Sequence, residues 1–319
     1  MTRVLVTGAT GFVGRELCET LARCGYRVRA ALRSDRAVPA CIAEKVLVGE
    51  IGAFTDWSAA LEGVDYVVHA AARVHVMNDA AVDLYFETNA HGTRHLATAA
   101  AHAGVTRFIF LSSVKVNGEE TLGHAYLATD TPGPKDAYGQ SKLAGEKSIQ
   151  EIGTSTAMET VIVRPPLVYG PGVRANFLRL LRWVDRSRPL PLGSIENTRS
   201  LISIWNLADL LLRLLQHPAA PGKVWMASDG MDLSTPALIR TIAREMNRHV
   251  RLLPVHPGLL RLAGAMLGKK AEIGRLCGSL AVDIEPTRRE LDWIPLVSVD
   301  ESIARTVAWY LSDVSSHGR

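Results

Sequence analysis

The chain has 319 residues, of which 47% are hydrophobic, with 36 lysines and arginines against 32 aspartates and glutamates. That length supports one large domain or two modest ones with an ample core. A net formal charge of only +4, with no basic run interleaved with aromatics, argues against nucleic acid as a partner.

Cys18, Cys24, Cys41 and Cys277 show neither CxxC spacing nor a nearby histidine cluster, so free thiols in a reducing compartment and no metal site are expected. The opening "MTRVLVTGAT" starts a strand at residue 3 and leaves no room for a signal peptide, and no window of about 20 apolar residues suggests a membrane span. A cytoplasmic protein is therefore expected. The most apolar stretch, residues 252–270, is broken by Pro254, Pro257 and Arg261. It reads as a core helix, with a membrane-surface contact as its alternative.

In chain order, "RVLVTGA" (3–9) predicts a strand, "ELCETLARCG" (16–25) a helix stopped by Gly25, and "YRVRAALR" (26–33) and "KVLVGEI" (45–51) two more strands. "DYVVHAAA" (65–72) predicts a fourth strand, "NAHGTRHLATAAAHAG" (89–104) a helix, and "RFIFLSS" (107–113) a fifth strand. "TVIVRPPLVYGPG" (160–172) predicts a sixth, closed by Pro165 and Pro166. Near-continuous apolar strands alternating with helices predict an α/β fold, a doubly wound parallel sheet of Rossmann type covered on both faces. After residue 170 the alternation fades. A dinucleotide-binding domain over 1–170, with returning segments at about 203–229, and a smaller α/β substrate lobe over 171–202 and 230–319 are expected.

"TGATGFVG" places Gly8, Gly11 and Gly14, with Thr10, Phe12 and Val13 between and beside them, directly after the first strand and into a helix. In that strand-turn-helix context glycines let backbone N–H groups approach a pyrophosphate. Arg33 ends the second strand and Arg36 follows, which suits a ribose 2′-phosphate and hence NADP. Asp35 could instead take a ribose hydroxyl, leaving NAD as the alternative, and Arg33 could be a solvated strand end. Glu50 and Ile51, after the third strand, would flank the adenine.

"AYGQSKLAGEKS" puts Tyr138 and Lys142 one helical turn apart, roughly 6 Å along the axis. A cation there favours the phenolate and lowers its pKa from about 10, as a general acid/base requires. The plain alternative is a core tyrosine beside a solvated lysine.

With "TGATGFVG", "HAAA", "NAHGT", "SSVKVNG", "YGQSK" and "RPPLVYGPG" in order, the chain resembles the extended short-chain dehydrogenase/reductases, and within them the branch of sugar-nucleotide epimerases, dehydratases and reductases. The resemblance implies Ser113, Tyr138 and Lys142 as the catalytic group. It implies Asn89 as a structural and proton-relay position, His69 and Ala70 to Ala72 lining the cofactor, and Pro165 near the nicotinamide. Ser113 could otherwise be a strand-end hydroxyl satisfying local backbone.

At the substrate, the resemblance implies Arg199, Asn176 and Arg275 as contacts to the diphosphate and sugar of a UDP-sugar, with "PLPLG" (189–193) against the uracil. Lys115 and Asn117 stand where the sugar pocket is expected. Two departures matter. Val114 and Lys115 replace the acidic pair of the 4,6-dehydratases, which disfavours water elimination. Asn117 replaces an aromatic, which leaves the sugar open.

The implied function is an NADP-dependent 4-keto reductase of a UDP-linked N-acetylamino sugar in bacterial surface-polysaccharide synthesis. A 4-epimerase with bound NAD is the alternative, and a non-catalytic dinucleotide-binding regulator stands outside the enzyme class. A homodimer paired through helices at 88–103 and 138–152 is expected by the same resemblance.

Overall fold

The computed structural model describes residues 1–74 and 82–317. The chain begins with β1 (Arg3–Thr7), α1 (Phe12–Arg23), β2 (Arg27–Leu32), β3 (Glu44–Leu47), α2 (Ser58–Leu61) and β4 (Tyr66–His69). It continues with α3 (Val82–Phe86), α4 (Thr93–His102), β5 (Arg107–Leu111), α5 (Ala137–Ser155) and β6 (Glu159–Arg164). Next come β7 (Leu167–Tyr169), α6 (Ala175–Asp185), β8 (Leu201–Ser203), α7 (Ile204–Gln216) and β9 (Val224–Met226). The last helices are α8 (Thr235–Glu245), α9 (Pro257–Met266), α10 (Lys270–Cys277), α11 (Glu285–Leu291) and α12 (Val299–His317).

Seven parallel strands form one sheet in the order β3-β2-β1-β4-β5-β6-β9. The winding reverses between β1 and β4, and the crevice at that switch point is where such sheets take ligands. On one face Leu17 and Leu21 of α1 pack with Leu207, Leu211 and Leu214 of α7. On the other, Leu96 and Ala97 of α4 and Ile149 of α5 close over Phe108 and Phe110. A further core gathers Phe177 and Leu181 of α6, Ile239 and Ile242 of α8, and Ile303 of α12.

Three elements differ from the sequence-based expectation. The helix expected from residue 89 is entered through a π-helical turn, Glu87–Gly92. A wider turn of this kind re-aims side chains and recurs at functional sites. The strand expected over 160–172 is two strands, because Pro165 and Pro166 have no N–H to continue a ladder. β6 stays in the main sheet, while β7 pairs with β8 in a separate two-stranded parallel sheet. The apolar stretch read as a core helix forms α9, which buries only Leu260 and Gly264. Its other apolar side chains face solvent.

Candidate active site

The glycine turn is built by close approach. Gly8 has φ +71°, and a Cβ there would lie 2.8 Å from the Ala71 nitrogen and 2.9 Å from the Ala70 carbonyl carbon. The turn leaving β1 thus packs directly on the chain leaving β4, which brings Ala70, Ala71 and Ala72 to the switch point. A Cβ on Gly14 would sit 2.1 Å from the Gly8 carbonyl oxygen. That same oxygen accepts the Gly11 N–H at 2.8 Å.

Gly11 caps α1 without a side-chain hydrogen bond, and the first turn has no acid. The helix therefore presents free N–H groups and its positive end toward the crevice. Thr10 anchors the turn through its carbonyl, which accepts from Arg15 Nε at 3.2 Å. Val13 packs on the core beneath the sheet, and Phe12 packs on the core formed by α6, α8 and α12. These residues fit a dinucleotide pyrophosphate.

Behind the turn, His69 is fully buried. Its Nδ1 lies 2.7 Å from Thr7 Oγ1 and its Nε2 lies 2.9 Å from Thr93 Oγ1. Burial, with Lys142 nearby, pushes its pKa down to about 3, so the imidazole is neutral. Asn89 sits in the π turn with its amide satisfied. Its Oδ1 accepts the Arg73 N–H at 2.8 Å, and its Nδ2 donates to the Arg73 carbonyl and to Ser141 Oγ.

At the adenosine end, the expected 2′-phosphate cations are engaged otherwise. Arg33 lies 3.3 Å from Glu50, with both side chains largely in solvent. Asp35 is taken by Lys45 at 2.6 Å, and Arg36 donates to Ser34 Oγ at 3.4 Å. A carboxylate beside Arg33 opposes a second anion there. Ile51 packs beneath, against the π turn, close to where a Cβ on Gly92 would lie.

The residues expected to react stand where β5 meets α5. Asp136 caps α5 by accepting the Gly139 N–H at 2.7 Å. This starts the helix at the residue before Tyr138. Ser113 follows β5 in extended conformation. Its hydroxyl accepts the Lys115 N–H at 3.2 Å and lies beside the Tyr138 phenol. The Val114 N–H donates to the Pro165 carbonyl at 3.0 Å, which ties this turn to the end of β6.

Tyr138 is half-buried at this junction. That burial pushes the phenol up to about 12, with the Ser113 hydroxyl pulling the other way. The lowered phenol pKa expected from the spacing is therefore not present in this state. Lys142 is fully buried, and burial pushes its amine down to about 7, with Glu146 opposing. Its Nζ sits 3.9 Å over the Phe110 ring and has no hydrogen-bond partner among the described residues. The amine thus faces a π surface in this structure.

Two features here had no reading in the sequence. Glu146, one turn beyond Lys142, is buried, accepts from Ser112 Oγ, and forms a two-pronged ion pair with Arg164 at 2.9 and 2.6 Å. The i,i+4 spacing from Lys142 was a usable signal for it. Tyr85 stands edge-on to Tyr138, with ring centroids 6.5 Å apart, and Arg73 lies over Tyr85.

Two residues expected at the sugar have other roles in the structure. Asn117 is buried. Its amide donates to the Leu127 carbonyl at 3.1 Å and accepts from Arg164 at 3.0 Å, so it braces the wall. Lys115 spends its ammonium on Glu119 at 2.6 Å and Asp136 at 2.5 Å, tying its turn to the cap of α5.

In the substrate lobe, Arg199 donates to the Arg275 carbonyl at 2.8 Å and to the Gly278 carbonyl at 3.1 Å. Burial and the neighbouring Arg275 guanidinium lower its pKa. Arg275 Nε is buried without a partner among the described residues. Two crowded guanidiniums of this kind suit an anion. Asn176 is exposed and holds Arg179, which reaches Glu272 on α10.

A parallel sheet with a glycine-turn crevice, and a serine, a tyrosine and a lysine at its rim, defines an extended short-chain dehydrogenase/reductase. The chain belongs to the NAD dependent epimerase/dehydratase family, whose model matches residues 4–227. It is 43% identical over 314 residues to a UDP-glucose 4-epimerase of Vibrio cholerae, covering 97% of this chain and 95% of that one. It is 28% identical over 249 residues to the N-acetyl-alpha-D-glucosaminyl-diphospho-ditrans,octacis-undecaprenol 4-epimerase of Escherichia coli O157:H7, covering 77% of this chain and 73% of the relative. The crystal structure of a UDP-glucuronic acid 4-epimerase from Bacillus cereus in complex with NAD shares the fold, with a TM-score of 0.77, 23% identity, and coverage of 98% and 99% of the two chains.

Proposed function

We propose that this chain interconverts the two C4 epimers of a UDP-linked hexose or N-acetylhexosamine, using a retained NAD. One observation carries the reading: the buried Lys142 amine, without a hydrogen-bond partner among the described residues, one turn from the Tyr138 phenol beside Ser113. An orphaned buried donor at the rim of a nucleotide crevice asks for a ligand oxygen, and a nicotinamide ribose supplies one. The near-full-length likeness to a 4-epimerase supports the same reading.

The turn from Gly8 to Gly14 would hold the pyrophosphate, with Phe12, Val13 and Ala70 to Ala72 beside the ring system. Pro165 would border the nicotinamide. Bound NAD supplies a reversible hydride acceptor. Tyr138 takes the C4 hydroxyl proton and returns it. Ser113 holds the same oxygen in line. Lys142, once a ribose hydroxyl and the phenol face it, keeps its proton and stabilises the phenolate. Arg199 and Arg275 would grip the diphosphate.

The second reading is a 4-keto reductase that consumes NADPH. Arg33 and Arg36 at the end of β2 favour it, and the Glu50 carboxylate beside Arg33 opposes it.

Two measurements test the assignment. The nucleotide released on denaturing the purified protein should be NAD, in near-stoichiometric amount. UDP-galactose or UDP-N-acetylgalactosamine should be converted to an equilibrium mixture without added coenzyme. Absent bound NAD, and with NADPH oxidised on a 4-keto sugar nucleotide, the epimerase assignment gives way to the reductase.

A further inference from the structure

α9 carries an apolar stripe on the wrong side. Leu259, Leu262, Ala263, Met266 and Leu267 follow the i, i+3, i+4, i+7, i+8 spacing of a helix face that normally meets a core. Here the fold uses only Leu260 and Gly264 of the opposite edge, where Gly264 lets Ile273 of α10 approach. The stripe is left in water: Leu259 is 61% exposed, Leu262 60%, Met266 81% and Leu267 72%, with Leu253 just before the helix at 46%. Large contiguous exposed apolar surface marks an interaction site.

The charge around the stripe says what it meets. Residues 251–270 contain Arg251, Arg261, Lys269 and Lys270 and no aspartate or glutamate. Removing these four from the chain's 36 basic residues leaves 32, equal to its 32 acidic residues. This one segment therefore carries the whole formal charge of the molecule. The adjoining chain adds to it, since Leu190 bonds the Arg251 carbonyl at 2.9 Å and brings exposed Arg188 alongside. Arg261 is offset by Glu120 at 3.7 Å, whereas Arg251 and Lys269 have no salt bridge among the described residues.

A two-fold contact between copies would set like charges against like, which disfavours self-association through this face. An anionic bilayer satisfies both features: leucine and methionine enter the acyl boundary, and the basic groups stay at the headgroups. We propose that α9 is a peripheral docking surface for anionic membranes, holding the enzyme against the bilayer without crossing it.

The test is flotation of the full chain with vesicles of phosphatidylcholine alone or enriched in phosphatidylglycerol. The protein should rise with the phosphatidylglycerol vesicles and be released by high salt. Lys269→Glu should weaken recovery by about fivefold or more. The double variant Leu262→Ser/Met266→Ser should abolish it, with an unchanged thermal midpoint as proof of folding, because both side chains are already in water. Failure to float with either vesicle overturns the proposal, as does equal recovery of the double variant. A wild-type dimer in sedimentation that the double variant converts to monomer also overturns it and assigns the face to a second copy.

Discussion

Burial acts on Tyr138 and Lys142 in the same sense, against the charged form of each. In this structure each is held toward its neutral form by burial, the phenol up to about 12 and the amine down to about 7. Tyr138→Phe should lower turnover by about 10²- to 10⁴-fold and leave the thermal midpoint unchanged. A fully active Phe variant would remove the acid/base assignment.

The lysine makes a second statement. Its folded pKa of about 7 lies below its unfolded value, so between these two pH values the unfolded chain binds more protons. In that window the coenzyme-stripped protein gains stability from this group as pH rises. The stability difference between wild type and Lys142→Met, followed by urea titration, should move in favour of wild type from pH 7 toward pH 10. A flat difference would mean that the amine is charged and solvated.

At this scale the spacing YxxxK was legible, because helical periodicity is local. The protonation states were not, because they depend on Phe110 from β5 and Glu146 from the next turn. Asn117 and Lys115 misled for the same reason. Each sits in sequence beside Ser113, but Arg164, Leu127 and Asp136 arrive from elsewhere and occupy them.

Elements carry the site through two tight contacts. The first is the turn into α1. Gly14→Ala would push a methyl to 2.1 Å from the Gly8 oxygen, so the turn must open. The variant should bind NAD more weakly than wild type in a thermal-shift titration and melt earlier. The second is the seam between α5 and β6, where Glu146 and Arg164 pair with almost no exposure. Removing one partner leaves a buried, uncompensated charge. Glu146→Ala should cost about 3–5 kcal/mol, read as a lowered urea midpoint at constant slope.

The parallel sheet itself was legible, since continuous apolar strands between helices allow few other solutions. The break at Pro165 and Pro166 was legible as a stop but not as a change of sheet, because β8, the partner of β7, lies more than thirty residues on. α9 was misread because apolarity speaks for burial only when a partner exists, and sequence does not say which face finds one.

For the whole molecule, coenzyme choice is a stability measurement. A ligand that binds only the folded state at 100 times its dissociation constant adds about 2.7 kcal/mol. With Glu50 beside Arg33, NAD should raise the melting temperature of the stripped protein more than NADP at equal concentration. The reverse order would show that Arg33 leaves Glu50 to take a phosphate.

The order of synthesis has its own consequence. α7 packs against α1, and β9 closes the edge of β6, yet both lie downstream of β7, α6 and β8 in the chain. A nascent polypeptide that has just emerged through β6 holds the glycine turn but lacks the helix that backs it and the strand that caps its sheet. Coenzyme capture is expected only once the chain through β9, about residue 226, is available to fold. A fragment ending near residue 170 would present an unpaired strand edge and a bare leucine face, and should be recovered in inclusion bodies rather than in solution.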